Sequence, residues 1–250
     1  MASTFGDAIW GRVSSIVTGF PLWSTGKGHP DGLFIGDIDP ARPGLEMYNY
    51  NELRNTTGGM ILVDAATGET QWELQTATSH VHGGLCADLD PAAPGLECFG
   101  VDKRAIDGKE QIVGTWLRTA TGQPLETPTD WGFGKPTIYW DSDLQKELIV
   151  GRSIQKYGGA AQWPIPAYRF VPVDLLGDWR EELLEFTEEG ELRIHFSTIP
   201  AADRRMCLMQ DPRYRRDVAM CAMAYHRPAM LSYCPAARAQ SGQSPSAGRQ

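Results

Sequence analysis

Carboxylates recur along this sequence with a spacing that suits a divalent cation. In the first acidic loop, residues 37–46, two aspartates two residues apart are followed seven residues later by a glutamate. The second loop (88–97) repeats this 51 residues on, and a third (141–147) and a fourth (174–182) follow. The carboxylates are Asp37, Asp39 and Glu46; Asp88, Asp90 and Glu97; Asp141, Asp143 and Glu147; and Asp174, Asp178 and Glu182. Such a loop can gather three carboxylates around one point, the all-oxygen set that Ca²⁺ prefers. The spacing therefore predicts several structural calcium ions.

These loops have a second interpretation that needs no metal. Asp-x-Asp-Pro turns also occur as capping turns, in which the side chain bonds its own backbone. In the fourth loop, Trp179 and Arg180 could pack a turn with an Arg–Glu pair. Because the carboxylates recur at matching spacing, calcium is the favoured interpretation. For the fourth loop we expect both, with the carboxylates facing an ion while Trp179 and Arg180 lock the sheet.

The acidic loops belong to a sequence repeat of about 50 residues, a period typical of propellers. Each repeat predicts a short apolar strand, the acidic loop, a second strand, a third strand, a turn with Gly68 or Gly122, and an outer strand. Four strands in about 50 residues make one propeller blade. We therefore predict an all-β fold, a β-propeller of four-stranded blades with about four to five blades in this chain. Since a partial ring would expose strand edges, the chain is either a very small propeller or part of a larger one.

The boundaries of this fold follow from composition. Residues 1–21 are hard to place, residues 22–235 carry the blades, and residues 236–250, rich in Ala, Ser, Gln, Gly and Arg, predict a disordered tail. The 250 residues include 27 Gly and 17 Pro, which suits many tight turns. A net charge of −8 argues against nucleic acid as a partner. No apolar run approaches a membrane span, and residues 1–25 show no signal peptide. The five cysteines include no CxxC pair, and we expect free buried thiols, with Cys86 and Cys98 as neighbours.

Several segments, in this order, resemble the rhamnogalacturonan lyases of polysaccharide lyase family 11. The most specific is residues 174–182 (DLLGDWREE). The others are residues 22–29 (LWSTGKGH), 36–40 (GDIDP), 42–46 (RPGLE), 139–144 (YWDSDL), 147–148 (EL), 154–158 (IQKYG), 192–194 (LRI), 208–215 (LMQDPRYR) and Tyr225. The resemblance implies a calcium-loaded, eight-bladed propeller of which this chain is the C-terminal part. It also implies a secreted or periplasmic protein, expected to be a monomer, whose partner is an acidic polysaccharide of the pectic rhamnogalacturonan type.

The chemistry implied by this resemblance is β-elimination at a uronic acid. A base removes the proton at C5 and the bond at O4 breaks, while a calcium ion or a cationic side chain must neutralise the neighbouring carboxylate. By resemblance, His29, Asp31 and Glu52 help to hold a calcium at the cleft, with Pro30 where the family has glycine. The alternative is that His29 bonds a turn and Glu52 is solvated, since His is a less usual ligand for so hard an ion.

Contacts to the sugar are predicted less directly. Residues 158–164 replace an Asn-Gly-Thr-Lys segment that lines the cleft in the family, and Lys156, the nearest lysine, is a candidate substrate contact. Tyr225, by resemblance near the sugar, is followed by His226 and Arg227, and the three would make a base and a carboxylate clamp. Alternatively they are a buried strand end with a solvated arginine. Trp131 and Trp163 are candidates for stacking on sugars, the other tryptophans for the core. A non-catalytic carbohydrate-binding propeller and an integrin-like interaction propeller remain as alternative functions.

Overall fold

The structure is a computed structural model of the chain. It describes residues 4–7, 12–15, 20–52, 55–128, 131–132, 135–165, 170–201, 204–221 and 228–240. These residues divide into two compact units, one formed by residues 1–86 and 96–134 and the other by residues 87–95 and 135–250. Each unit consists mainly of small antiparallel sheets whose strands follow one another in chain order.

The first unit holds three sheets, of three, four and four strands. The first sheet contains β1 (Thr4–Asp7), β2 (Arg12–Ser15) and β3 (Pro21–Ser24). The second contains β4 (His29–Gly36), β5 (Glu46–Glu52), β6 (Met60–Asp64) and β7 (Thr70–Glu73). The third contains β8 (Val81–Ala87), β9 (Glu97–Ile106), β10 (Lys109–Arg118) and β11 (Pro124–Leu125).

The second sheet shows why the repeat folds as it does. Strand β5 is buried over almost its whole length, and Met47 packs with Ile35 and Ile61 in one apolar cluster. After β6, Asp64 Oδ1 accepts hydrogen bonds from the backbone N–H groups of Ala66 (2.9 Å) and Thr67 (2.7 Å). Gly68 closes this turn with a φ of 77°, and a Cβ there would lie 2.5 Å from the Trp23 ring. Glycine at position 68 thus allows both the positive φ of the turn and the close approach of the Trp23 ring.

The second unit holds a four-stranded and a three-stranded sheet. The strands are β12 (Thr137–Ile138), β13 (Glu147–Val150), β14 (Ser153–Gln155) and β15 (Ala161–Pro164), then β16 (Phe170–Val173), β17 (Glu182–Phe186) and β18 (Leu192–His195). A short 3-10 helix (Leu208–Gln210) and helices α1 (Pro212–Cys221) and α2 (Pro235–Gln240) follow. Tyr214 of α1 packs with Tyr139, Trp179 and Leu208 in a buried cluster.

The predicted fold class, an all-β chain of propeller blades, is confirmed by these meandering sheets. Helix α1 was not predicted, and α2 covers the first residues of the segment predicted as a disordered tail; residues 241–250 lie outside the described part. Within the described residues the five cysteines are free, and the Sγ atoms of Cys86 and Cys98 are 3.9 Å apart. None of the described helices has the length and apolar character needed to cross a membrane.

Candidate functional site

A cluster of three histidines surrounds Asp31. The pairing of β4 with β5 shifts register between Pro30 and Gly32, so Asp31 is the extra residue of a β-bulge. Bulges re-aim a side chain and are common beside active sites. Here the Asp31 carboxylate contacts His80 Nε2 at 2.5 Å and His82 Nδ1 at 2.8 Å through Oδ2, and His29 Nδ1 at 3.1 Å through Oδ1.

The chain around β8 holds the two histidines in place. His80 precedes the first residue of the strand, His82 is its second residue, and their rings stand edge to face with centroids 5.1 Å apart. The buried Asp102 accepts hydrogen bonds from the backbone N–H groups of Ser79 (3.0 Å) and His80 (2.6 Å). Asp31, His80 and His82 each present one ligand atom, and these atoms lie within 4.8 Å of one another.

The electrostatics of this cluster keep the carboxylate ionised. Burial alone would raise the pKa of Asp31, but hydrogen bonds from His82 and His80 and the charges of these rings outweigh it and hold the pKa below its usual value. One carboxylate oxygen and two imidazole nitrogens, grouped within ligand distance, are a donor set that a divalent cation can use. The residues present therefore fit a metal ion, although imidazole is a less usual ligand for calcium than oxygen.

The predicted set for this site was His29, Asp31 and Glu52. His29 contacts Asp31, and Glu52 lies directly across from His29 in the pairing of β4 with β5. Among the described residues, however, the group that converges on one point consists of Asp31, His80 and His82. Sequence reasoning missed His80, just before β8, and His82, within it. The repeat contained the signal, because the 51-residue offset aligns His80 with His29 and His82 with Asp31.

In the first acidic loop, Glu46 organises the turn. Its Oε2 accepts hydrogen bonds from the backbone N–H groups of Ile38 (2.9 Å) and Asp39 (3.0 Å), while its buried Oε1 has no hydrogen-bond partner among the described residues. The pKa of Glu46 is raised by burial, against the two N–H groups, and raised further by the charges of Asp37 and Asp39. A buried, unpartnered carboxylate oxygen in a loop that carries two further aspartates fits a bound cation.

The residues of the second acidic loop are divided between the two units, with Asp88 and Asp90 in the second and Glu97 in the first. In the second unit, burial raises the pKa of Asp88 to about 7, against contacts from Gln145 and Cys234. Asp90 Oδ1 accepts a hydrogen bond from the N–H of Ala92 (2.9 Å). Glu97, in the first unit, is fully buried.

The third acidic loop brings its three carboxylates together. One ligand atom each of Asp141, Asp143 and Glu147 lies within 4.8 Å of the others. The ammonium group of Lys156 lies among them, with Nζ 3.1 Å from Asp141 Oδ2 and 2.8 Å from Asp143 Oδ1, and it also donates to Glu147 Oε1. Lys156, predicted as a substrate contact, is thus engaged within its own sheet.

In the fourth acidic loop the carboxylates are occupied by donors of the protein. Asp174 accepts from the N–H groups of Gly177 (2.8 Å) and Leu208 (2.7 Å), one on each oxygen. Asp178 Oδ2 contacts the Arg180 guanidinium at 2.5 Å. Glu182 Oε2 accepts from the N–H groups of Leu175 and Leu176. Trp179 and Arg180 are buried, as their predicted role in locking the sheet requires.

Trp131 and Trp163, predicted to stack on sugars, differ in their burial. Trp131 is 1% exposed and packs edge to face on Phe99 at a centroid distance of 5.0 Å, which gives it a place in the core instead of a face for a ligand. Trp163 is half-buried and packs against the apolar cluster around Ile154. Tyr225, His226 and Arg227 lie outside the described residues.

Comparison with known proteins places this chain in a family. Residues 5–165 and 166–245 match the model of rhamnogalacturonan lyase family 11, C-terminal domain, and the chain belongs to this family. It is 35% identical over 242 residues to the rhamnogalacturonan endolyase YesW of Bacillus subtilis (strain 168), and 31% identical over 252 residues to the exolyase YesX of the same organism.

These relatives are considerably longer than the chain. Each alignment covers 91% of this chain, but 37% of YesW and 40% of YesX. A crystal structure of YesW superposes with a TM-score of 0.75 at 33% identity, covering 90% of this chain and 38% of that one. The chain therefore spans about two fifths of the length of the curated relatives that it matches.

Proposed function

We propose that the protein containing this chain is a lyase that cleaves a rhamnogalacturonan-type pectic polysaccharide by calcium-assisted β-elimination. Its relatives bear the names of rhamnogalacturonan endo- and exolyases. The observation that carries the proposal for this chain is the cluster of Asp31 with His29, His80 and His82, because it offers a cation-binding centre beside exposed imidazoles. A polymeric pectic substrate also supports a location outside the cytoplasm.

The reaction requires removal of the C5 proton, protonation of the leaving O4 and neutralisation of the uronate carboxylate. A base removes the C5 proton, the electron pair of the C5–H bond forms the C4–C5 double bond, and the C4–O4 bond breaks with its electron pair going to O4, which takes up a proton from an acidic group or from water. A divalent cation, when bound, would neutralise the uronate carboxylate and so acidify the C5 proton. Asp31, His80 and His82 would hold this cation. Tyr225, His226 and Arg227 are proposed as the base and the carboxylate clamp.

What the described residues contribute is a prearranged set of ligands. The bulge aims Asp31 at β8, and Asp102 restrains the backbone of His80. The histidines keep the pKa of Asp31 low, so the carboxylate is already ionised when a cation or a substrate arrives. Prearranged charge of this kind costs no reorganisation in the transition state.

The decisive experiment follows unsaturated uronate by its absorbance. Purified protein is incubated with rhamnogalacturonan, then with chelator, then with Ca²⁺, Mn²⁺ or Zn²⁺ added back. We expect cleavage that chelator abolishes and Ca²⁺ restores. Asp31→Asn should lower kcat/KM by about 100-fold or more, as when an electrostatic stabiliser is lost, and should lower the metal content by elemental analysis.

A matched control keeps the result specific. Glu191→Gln makes the same change of carboxylate to amide at an exposed residue that pairs with Arg193, and it should retain full activity. Binding of rhamnogalacturonan without any absorbance change would instead support the non-catalytic carbohydrate-binding alternative. If the protein neither binds nor cleaves rhamnogalacturonan, the proposal is overturned and the interaction propeller is favoured.

A further inference from the structure

We propose that the third acidic loop takes no divalent cation, because the ammonium group of Lys156 occupies the place where a cation would bind. The sequence predicts calcium in this loop as in the first one. The geometry points to a built-in cation instead. This inference does not depend on the proposed lyase activity, since it concerns how the second unit is held together.

The contacts of Lys156 account for all three carboxylates of the loop. Its Nζ contacts Asp141 Oδ2 and Asp143 Oδ1 at 3.1 and 2.8 Å, and it donates a hydrogen bond to Glu147 Oε1. An ammonium group has three N–H donors and no acceptor. The three donors thus match three carboxylates. The oxygen atoms that would ligate a metal instead surround Nζ of Lys156.

The register of the sheet explains how the lysine reaches this position. Strand β13 begins at Glu147, and β14 pairs with it so that Leu148 lies opposite Gln155. Continuing this antiparallel pairing by one residue sets Lys156 opposite Glu147. Side chains that lie directly opposite in an antiparallel pair share one face of the sheet. The lysine is therefore directed to the loop glutamate by strand pairing.

The equivalent position in the other sheets carries no basic residue. In the second sheet Glu46 pairs with Asp64. In the third sheet Cys98 pairs with Arg118, so the residue after Arg118, Thr119, falls opposite Glu97. In the β16–β18 sheet Leu183 pairs with His195, so Phe196 falls opposite Glu182. Among these four pairings of the described strands, a lysine opposite the loop glutamate belongs to the third acidic loop.

The charge balance supports the same conclusion. Glu147 is fully buried, and burial raises its pKa to about 7 against the charge and hydrogen bond of Lys156. Burial would lower the pKa of Lys156, but the charge of Glu147 and hydrogen bonds to the three carboxylates raise it above its usual value. A buried carboxylate is stable only when it is paired, and here Lys156 is the partner.

The test is a count of calcium ions with and without the lysine. Lys156→Met keeps the length and apolar stem of the side chain but removes the charge. We expect this variant to bind one more Ca²⁺ per chain than the wild type, by equilibrium dialysis and elemental analysis. Its melting temperature should fall in chelator and rise again in millimolar Ca²⁺ by more than that of the wild type. Lys109→Met, at an exposed lysine of β10, is the matched control and should leave both quantities unchanged.

A second variant tests the loop in the presence of the lysine. Asp143→Asn removes a half-exposed carboxylate, and in the wild-type background it should leave the number of bound Ca²⁺ ions unchanged. A loss of one ion in Asp143→Asn would overturn the inference, because the loop would then already bind calcium beside Lys156. An unchanged calcium count in a folded Lys156→Met protein would overturn it as well. If Lys156→Met does not fold, the result with Asp143→Asn decides.

Discussion

The first and third acidic loops differ in the residue that faces the loop glutamate across the sheet. In the first, Glu46 pairs with Asp64, and the buried Oε1 of Glu46 has no hydrogen-bond partner among the described residues. In the third, the corresponding oxygen of Glu147 accepts a hydrogen bond from Lys156. The second oxygen of the glutamate accepts backbone N–H groups in both loops, two in the first loop and one, that of Trp140, in the third.

This difference separates two roles that the acidic pattern combines. The glutamate shapes the turn in both loops, with or without a metal. We infer that binding of a cation depends on one residue from the next strand, which lies outside the acidic pattern. A repeated acidic motif therefore predicts the turn reliably, but it predicts the ion only together with the residue across the strand.

The largest effect in this comparison is expected from Glu46→Ala. The substitution leaves the buried N–H groups of Ile38 and Asp39 without their acceptor, and each such group costs about 1–3 kcal/mol. We expect a loss of about 3–4 kcal/mol in the free energy of unfolding, measured by urea denaturation. The loss should be larger in Ca²⁺ than in chelator, because the variant also loses a proposed ligand.

Glu46→Gln is the control for that experiment. Its amide oxygen can still accept the two N–H groups, while its charge is gone. It should therefore cost less than Glu46→Ala in chelator and lose an equal part of the stabilisation by Ca²⁺. If both variants keep the response of the wild type to Ca²⁺, the first loop binds no ion and the comparison with the third loop fails.

A smaller effect on stability, but a sharper one on the calcium count, is expected from Asp64→Lys. This substitution copies the arrangement of the third loop by placing a lysine opposite Glu46. We expect one bound Ca²⁺ fewer per chain, and a change of about 1 kcal/mol or less in chelator, because the new ion pair offsets the loss of the Asp64 turn. Asp64→Gln, which has no charge, should lose the turn but keep the ion. An equal calcium count in the wild type and in Asp64→Lys would contradict the role assigned to the facing residue.

The sequence predicted the sheets well because strand, acidic loop and turn recur at about 50 residues through the first three acidic loops. The turn at Gly68 and the burial of β5 follow directly from that repeat. Helix α1 could not be predicted in this way, since residues 212–221 have no counterpart in the earlier repeats. The burial of Trp131 also required tertiary structure, because its place on Phe99 depends on how a loop returns to the sheet.

The candidate site, too, could be predicted from the sequence only in part. Asp31 was identified by the resemblance of its segment to the family, whereas His80 and His82 join it from a segment about 50 residues away. They meet because two different sheets of the first unit pack together, although the repeat alignment already matches His80 with His29 and His82 with Asp31. The position of Lys156 was harder still to predict from the sequence. Its position opposite Glu147 depends on register, and a shift by one residue would turn its side chain to the other face.

The smallest predicted effect concerns the pH dependence of the Asp64 turn. Burial alone would raise the pKa of Asp64, but hydrogen bonds from Thr67 and Ala66 and the charge of Arg42 hold it below its usual value of 3.8. A carboxyl group whose pKa is lowered by folding stabilises the protein above its unfolded pKa, and this stabilisation is lost as the pH falls through the lowered value. Asp64→Ala should therefore cost about 0.5–1 kcal/mol at pH 6, a small value because solvent screens the turn. The difference from the wild type should shrink towards pH 3 in urea unfolding. A difference that stays constant from pH 6 to pH 3 would mean that the ionised form of Asp64 does not support the turn, and the facing residue of the first loop would then act through packing alone.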